Sequence, residues 1–261
     1  MCPPEHFTVE YAINPWMDVS TPVDVELALK QWEQLRETLV ALGHSVHVLD
    51  PEPGLPDMVF AANGAFVVGG TAYGARFKHP QRTGEAAAHR AFYDSMGWRY
   101  VSATQTNEGE GDFTYLPGAL GGVALAAYGF RTESAAHAEA QDVLGRPVIS
   151  LRLVDSRFYH LDTALAALDD HNVVYYPGAF SESSRRVLRQ LFPDAVRADA
   201  VDAHAFGLNL VSDGLNVFVN AEATGIAAKV RAAGYHPVPI ELSELKKGGG
   251  SVKCCVGELR S

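Results

Sequence analysis

The sequence LVALGHSVHVL, residues 39–49, contains the pattern that decides the fold of this chain. Apolar side chains at helical spacing fill residues 23–42 and end at Gly43, and a glycine in this place is typical of a helix C-terminus. The valines of residues 45–49 then alternate with polar neighbours, which predicts a short strand. The stretch therefore predicts a helix, a glycine and a strand in direct succession.

A predicted hairpin follows this unit, because residues 58–68 and 71–76 flank a Gly69-Gly70 turn. The same succession of helix, strand and hairpin then recurs along the chain. The later predicted helices end at or near Gly97, Gly145, Pro193 and Gly234. After the last strand, the runs 251–259 and 7–13 would supply the final hairpin.

Repetition of this length is typical of radial or solenoid architectures. Two chain ends that share one module would close a ring. We therefore expect an α/β fold of five modules, forming one domain over residues 1–261 with no linker.

Composition limits the classes of function. The chain has 261 residues, 47% of them hydrophobic, which is enough for a large core. Its net charge of −10 argues against nucleic acid but would attract a small cationic substrate. No apolar run is long enough to span a membrane, and the first residues do not resemble a signal peptide. With three cysteines, no zinc-type spacing and no nucleotide motif, we expect a cytoplasmic protein without a metal.

The stretch GGGSVKCC, residues 248–255, contains two of the three cysteines. Three successive glycines allow backbone conformations that other residues avoid. Two adjacent thiols after such a turn suggest a nucleophile. The alternative is a buried, inert cysteine pair.

Four motifs in this order carry a resemblance to a known family: PDMVFAAN at 56–63, EGEGD at 108–112, HLDT at 160–163 and GGSVKC at 249–254. Together they resemble the guanidine-modifying enzymes, which include dimethylarginine dimethylaminohydrolases, arginine deiminases, amidinotransferases and arginine dihydrolases. The resemblance covers nearly the whole chain. It implies the pentein fold, a pseudo-symmetric α/β propeller of five ββαβ modules, in agreement with the repeats.

The resemblance also implies functions for individual residues. Cys254 matches the nucleophile, His160 the general acid/base and Glu108 the acidic residue beside them. Glu110 competes with Glu108, because the spacing to Asp112 departs from the common one, and Glu108 is preferred. The residues expected to bind substrate are Asp57, Phe60, Asn63, Arg82, Arg131 and Asp162.

The chemistry of a guanidinium agrees with these residue types. Its carbon is a poor electrophile, so attack needs a thiolate. Carboxylates along its N–H edges orient and hold the cation. A histidine protonates the leaving amine and then activates water against the covalent S-alkylthiouronium. No metal or cofactor is required, and the expected products are citrulline or ornithine with ammonia or an alkylamine.

Because residue 63 is an asparagine, the sequence does not decide whether arginine, methylated arginine or citrulline is the substrate. The dimethylaminohydrolases and deiminases usually carry an aspartate there, and the motif with asparagine resembles that of the arginine dihydrolases. Asparagine both donates and accepts hydrogen bonds, so it suits a ureido group as well as a guanidinium. Other readings also stay open: an amidinotransferase with an amine acceptor, a non-catalytic binding protein for arginine-like amino acids, and a cysteine peptidase. The expected partners are a small cationic amino acid and, in a homodimer, a second copy of the chain.

Overall fold

Four three-stranded sheets form the framework of the computed structural model, which describes residues 1–260. The sheets contain β1 (Ala65–Val68), β2 (Thr71–Gly74) and β3 (Arg99–Ser102); β4 (Phe113–Leu116), β5 (Val123–Tyr128) and β6 (Val148–Arg152); β7 (Leu165–Ala167), β8 (Val173–Tyr175) and β9 (Val196–Arg197); and β10 (Val211–Ser212), β11 (Asn216–Asn220) and β12 (His236–Ile240). The helices are α1 (Val25–Ala41), α2 (Glu85–Ser95), α3 (Ala135–Leu144), α4 (Glu182–Leu191), α5 (Ala200–His204), α6 (Thr224–Ala232), α7 (Ser243–Lys246) and α8 (Val252–Cys255).

Each sheet repeats one topology. Its first two strands form an antiparallel hairpin, and the third strand returns parallel to the second after a helix. The crossover helices are α2, α3, α4 and α6. The ββαβ units of the sequence analysis are therefore present four times, in a mixed α/β fold.

The predicted helices and their ends agree closely with the structure. Gly43, Gly97, Gly145 and Gly234 all have positive φ angles, which only glycine adopts without strain. The predicted strand over residues 236–240 coincides with β12.

The fifth unit differs from the prediction, since residues 1–260 contain four sheets and not five. The expected hairpin of runs 251–259 and 7–13 is wrong: α8 occupies part of the first run, and the second contains no strand. Residues 45–49 form no strand either. Their backbone pairs only with Met1, whose N–H donates to His47 O at 2.9 Å and whose carbonyl accepts from Leu49 N at 2.9 Å.

The first predicted hairpin also begins too early in the chain, since its first strand starts at Ala65 and not at residue 58. Short 3₁₀ turns precede the strands at Pro56–Val59, Ala61–Gly64, Gly109–Gly111 and Leu161–Thr163. These turns are buried on every side, so their apolar residues do not alternate with polar ones and a strand pattern cannot be separated from a buried turn. His160 and Asp162 accordingly belong to a turn and not to one face of a strand.

The turns meet in the middle of the molecule. Ala61–Gly64 packs against Gly109–Gly111 and against α8, and Gly109–Gly111 packs against Leu161–Thr163. Apolar clusters lie around them, and in one of these clusters Phe66 of β1 stacks on Phe113 of β4 at 5.2 Å. Within residues 1–260, no helix is both long and apolar enough to cross a membrane. The convergence of the turns positions the site described next.

Candidate active site

Cys254 lies near the end of α8, and its side chain is only 2% exposed. The thiol Sγ donates to Asp162 Oδ2 at 3.1 Å and accepts from Asn209 Nδ2 at 3.1 Å. Asn209 Oδ1 also accepts the backbone N–H groups of Ser251 and Cys254, at 3.0 and 3.2 Å. Asn209 therefore fixes both the backbone and the thiol of this short helix.

The electrostatic surroundings keep this thiol protonated when no ligand is bound. Burial raises the pKa of Cys254 well above its usual value, and the Asp162 carboxylate raises it further. Burial also raises the pKa of Asp162, to about 7. A cation beside Asp162 would reverse both effects, because it favours the two anions.

His160 and Glu108 form a second pair in the site. His160 Nε2 lies 2.9 Å from Glu108 Oε2, and both side chains are buried. Glu108 also accepts from Arg131 Nη1 at 2.6 Å. Burial alone would raise the pKa of Glu108, but Arg131 and His160 outweigh it and hold that pKa well below its usual range. Glu108 is therefore an anion that holds the imidazole by one nitrogen and leaves Nδ1 directed elsewhere.

A third group consists of Asp57, Asn63 and Arg82. Arg82 donates to Asn63 Oδ1 at 2.7 Å, to the Asp57 carbonyl at 3.2 Å and to both carboxylate oxygens of Glu85 at 2.7 and 2.8 Å. Tyr11 donates to Asp57 Oδ2 at 2.8 Å, and burial raises the pKa of Asp57. Arg82 thus orients Asn63 so that its amide nitrogen faces away from the guanidinium.

Phe60 and Arg131 border the same region. The Phe60 ring lies so close to α8 that a Cβ at Gly250 would approach it to 2.5 Å and Cys254 Cβ to 3.0 Å. Gly250 is therefore required for this approach. The Arg131 guanidinium lies 4.8 Å from the centre of the Tyr159 ring, and Tyr159 donates to the Gly249 carbonyl at 2.8 Å.

Three buried polar atoms of the site have no hydrogen-bond partner within residues 1–260: Asp57 Oδ1, Asp162 Oδ1 and His160 Nδ1. All three accept hydrogen bonds when the carboxylates are ionised and the imidazole is protonated at Nε2. Unpaired buried acceptors are costly, so they point to a ligand that donates. A guanidinium presents donors only and would satisfy them.

All nine predicted site residues belong to the groups described above. No hydrogen bond joins the Cys254 thiol to the His160 imidazole within residues 1–260, and each of them has its own carboxylate partner. Glu110 lies elsewhere: it pairs with Lys253 and Arg260. Sequence reasoning missed Tyr11, Asn209 and Asp112. Asp112 accepts the Leu161 N–H at 3.1 Å and lies 3.9 Å from His160 Nε2. Asp112 was quoted within its motif, but nothing in the sequence around Tyr11 or Asn209 marks them as part of the site.

No group of three or more histidine, cysteine, aspartate or glutamate side chains in residues 1–260 is arranged to hold a metal ion. The fold and the site together define a cysteine-centred α/β protein whose thiol and imidazole each face a carboxylate. A family model described as "N,N dimethylarginine dimethylhydrolase, eukaryotic" matches residues 4–261. The chain belongs to this dimethylarginine dimethylaminohydrolase family.

Individual relatives support this membership. A dimethylarginine dimethylaminohydrolase of Mycobacterium tuberculosis is 55% identical over 99% of this chain and 84% of its own. The bifunctional arginine dihydrolase/ornithine cyclodeaminase ArgZ of Synechocystis is 35% identical over 97% of this chain, which corresponds to 36% of that longer protein. The crystal structure of the N-terminal domain of ArgZ bound to product superimposes with a TM-score of 0.92 and 34% identity, covering 98% of this chain and 94% of that one.

Proposed function

We propose that this protein hydrolyses a C–N bond at the guanidino carbon of arginine or Nω-methylated arginine. The products are citrulline and either ammonia or an alkylamine. One observation carries the proposal: the Cys254 thiol lies 3.1 Å from a carboxylate, Asp162, whose second oxygen is buried and unpaired in residues 1–260. A cation that fills this position completes the hydrogen bonding and activates the nucleophile beside it.

The names of the relatives agree with this substrate class. The Mycobacterium tuberculosis relative is a dimethylarginine dimethylaminohydrolase, and ArgZ is an arginine dihydrolase with a structure that holds a covalently bound reaction intermediate. Both reactions break a C–N bond of the guanidino group. They differ in the amine that leaves and in how far hydrolysis proceeds.

In the first half of the proposed reaction, the guanidinium binds against Asp162 and Asp57. Its charge lowers the pKa of the Cys254 thiol, which gives its proton to water. Sulfur attacks the guanidino carbon and forms a tetrahedral centre. His160 in its protonated form gives a proton to the departing nitrogen, and loss of the amine leaves the S-alkylthiouronium.

In the second half, neutral His160 takes a proton from water, and the resulting hydroxide adds to the same carbon. Collapse of this adduct breaks the C–S bond and releases the ureido product, citrulline. Glu108 stabilises the imidazolium of the first half and keeps the ring oriented. Arg131 holds Glu108, and Arg82 holds Asn63, through the contacts described above.

Asn63 favours a further step to ornithine. Its Oδ1 is occupied by Arg82, but its Nδ2 makes only a long contact of 3.4 Å to the Glu108 carbonyl. This weakly engaged donor is suited to the oxygen of a ureido group, which aspartate could not serve. Attack of Cys254 on the ureido carbon of citrulline would break a C–N bond, release ammonia and leave an S-carbamoyl group, which water would hydrolyse to ornithine and carbon dioxide.

Incubation of the purified protein with arginine, asymmetric dimethylarginine and citrulline tests the proposal. Ammonia, dimethylamine, citrulline and ornithine are measured over time, with Cys254→Ser as the control. A parallel series with an added amine tests amidino transfer through amine-dependent products. Binding of all three amino acids without turnover or adduct would contradict the proposal and favour a binding protein.

Three further expectations are also proposals: the five-module ring, a homodimer and a cytoplasmic location. We infer a five-module ring that forms one domain, since the four sheets share one topology and a further helix, α1, precedes the first sheet in the chain. A homodimer is tested by light scattering. A cytoplasmic location is tested by fractionation of cells that produce the protein.

A further inference from the structure

Directly beside the nucleophile lies a cluster of four charged side chains, two of them buried, that the proposed chemistry does not use. Lys253 Nζ donates to Glu110 Oε2 and to Glu258 Oε2, both at 2.6 Å. Arg260 pairs with the same two carboxylates. Glu110 is 2% exposed and Lys253 is 6% exposed. Two cations and two anions make the cluster neutral as a whole.

The cluster is connected to both catalytic groups through very short pieces of chain. Lys253 immediately precedes Cys254 in α8. Glu110 lies in the turn Gly109–Gly111, directly after Glu108, which contacts His160 Nε2 at 2.9 Å. Glu108 thus contacts the histidine, and Glu110, two residues later, contacts Lys253 of α8, the helix that contains the nucleophile.

We propose that the Glu110–Lys253 ion pair positions the nucleophile by holding α8 at a fixed place relative to His160. This inference rests on the proposed function, in which Cys254 and His160 act on one substrate carbon. Both members of the pair are positioning residues and not catalytic ones, because neither contacts the thiol or the imidazole.

Further contacts hold the same piece of chain to Glu110. The backbone N–H of Glu258 donates to Glu110 Oε2 at 2.9 Å, and Lys253 Nζ contacts the Val256 carbonyl at 3.3 Å. The chain on both sides of Cys254 and Cys255 is therefore attached to the turn Gly109–Gly111, which directly follows Glu108. Within residues 1–260, Lys253 is the charged side chain of α8 that joins this helix to the turn.

A double variant separates positioning from stability. Lys253→Met alone leaves two carboxylates, Glu110 and Glu258, to share one cation, Arg260, which lowers stability. Glu110→Gln with Lys253→Met removes one anion and one cation, and the Arg260–Glu258 pair, at 2.6 Å, remains neutral. Stability should then return towards that of the wild type, whereas the attachment of α8 is still lost.

The experiment measures kcat, KM, thermal unfolding and hydrogen exchange of residues 252–255 for the wild type, Lys253→Met and the double variant. Lys229→Met is the matched control, since Lys229 also bridges two carboxylates, Asp199 and Asp202, in the fourth unit. We expect kcat to fall about 10- to 100-fold in both Lys253 variants, with KM within about threefold, because small displacements of a nucleophile cost rate. Exchange of residues 252–255 should quicken in the same two variants and not in the control.

A double variant that regains wild-type kcat together with its melting temperature would overturn the proposal, since the cluster would then be structural only. Unchanged exchange of residues 252–255 in both variants would overturn it as well. A wild type that turns over none of the guanidino substrates would instead contradict the proposed function. The exchange measurement still decides, in that case, whether the pair holds α8 in place.

Discussion

The Cys254 thiol donates its hydrogen bond to Asp162 Oδ2, at 3.1 Å, while His160 Nε2 faces Glu108 Oε2, at 2.9 Å. The proposed nucleophile and the proposed acid/base thus each have a carboxylate partner. Burial and the Asp162 charge both raise the pKa of the thiol, so the free protein holds an unreactive thiol. In the proposed reaction, the thiol becomes reactive only when a cation binds beside Asp162, and this requirement would make a buried cysteine selective for guanidinium compounds.

Replacement of the two adjacent cysteines should have unequal effects. Cys254→Ser should abolish turnover, because the Sγ that contacts Asp162 and Asn209 is lost. Cys255→Ser should keep a good part of the activity, since Cys255, the last residue of α8, packs in the apolar core. Mass spectrometry of protein quenched during turnover should locate the adduct on Cys254. An adduct on Cys255, with activity lost only in Cys255→Ser, would reverse the assignment.

His160→Gln should separate binding from turnover. Glutamine keeps a polar group near Glu108 but supplies neither the acid for the leaving amine nor the base for water, a loss of about 10²- to 10⁴-fold in kcat. Substrate affinity, measured by calorimetry, should change little. Turnover close to the wild-type rate would show that His160 is a buried structural histidine.

Asp162→Asn should stabilise the ligand-free protein above neutral pH while it abolishes activity. Burial raises the folded-state pKa of Asp162 to about 7, above its unfolded value. A carboxyl group with a raised pKa in the folded state contributes stability that is fully present below its unfolded-state pKa. This contribution is lost as the pH rises to its folded-state pKa. Asparagine has no such loss, so the variant should gain roughly 2–4 kcal/mol over the wild type between about pH 4 and pH 8.

The measurement is urea unfolding of both proteins without ligand at ~pH 5 and ~pH 8. Glu85 and Asp112 also have pKa values that burial raises, to about 7 and about 6, but they are present in both proteins and cancel in the difference. A stability difference that stays constant over this pH range would contradict the expected titration of Asp162.

The sequence predicted the helices well because their ends are marked by glycines with positive φ, such as Gly145 at the end of α3. It did not predict the turns that contain the site. Asn63 and Asp162 lie in segments buried on all sides, where apolar periodicity carries no information about secondary structure. The family motifs identified these residues, but Asn209, which binds Cys254 from 45 positions away, depends on tertiary contact alone.

Asn63→Asp is the sharpest test of the substrate. In the structure Arg82 occupies Asn63 Oδ1, and Nδ2 is left with a 3.4 Å contact to the Glu108 carbonyl. Nδ2 is therefore the atom available to a ureido oxygen, and the wild type should carry arginine through citrulline to ornithine. Aspartate replaces this donor with a second acceptor, which repels that oxygen.

Loss of the donor should cost about 1–3 kcal/mol in the second step, the range for an unmade buried hydrogen bond. The first step should survive, because a carboxylate binds a guanidinium at least as well as an amide does. Citrulline should then accumulate in Asn63→Asp fed with arginine, whereas the wild type releases ornithine, and amino-acid analysis over time distinguishes the two. A wild type that stops at citrulline would remove the function assigned to Nδ2. A wild type that ignores arginine and releases dimethylamine from dimethylarginine would restrict the substrate to the methylated form, since the chemistry of Cys254 and His160 is the same for both.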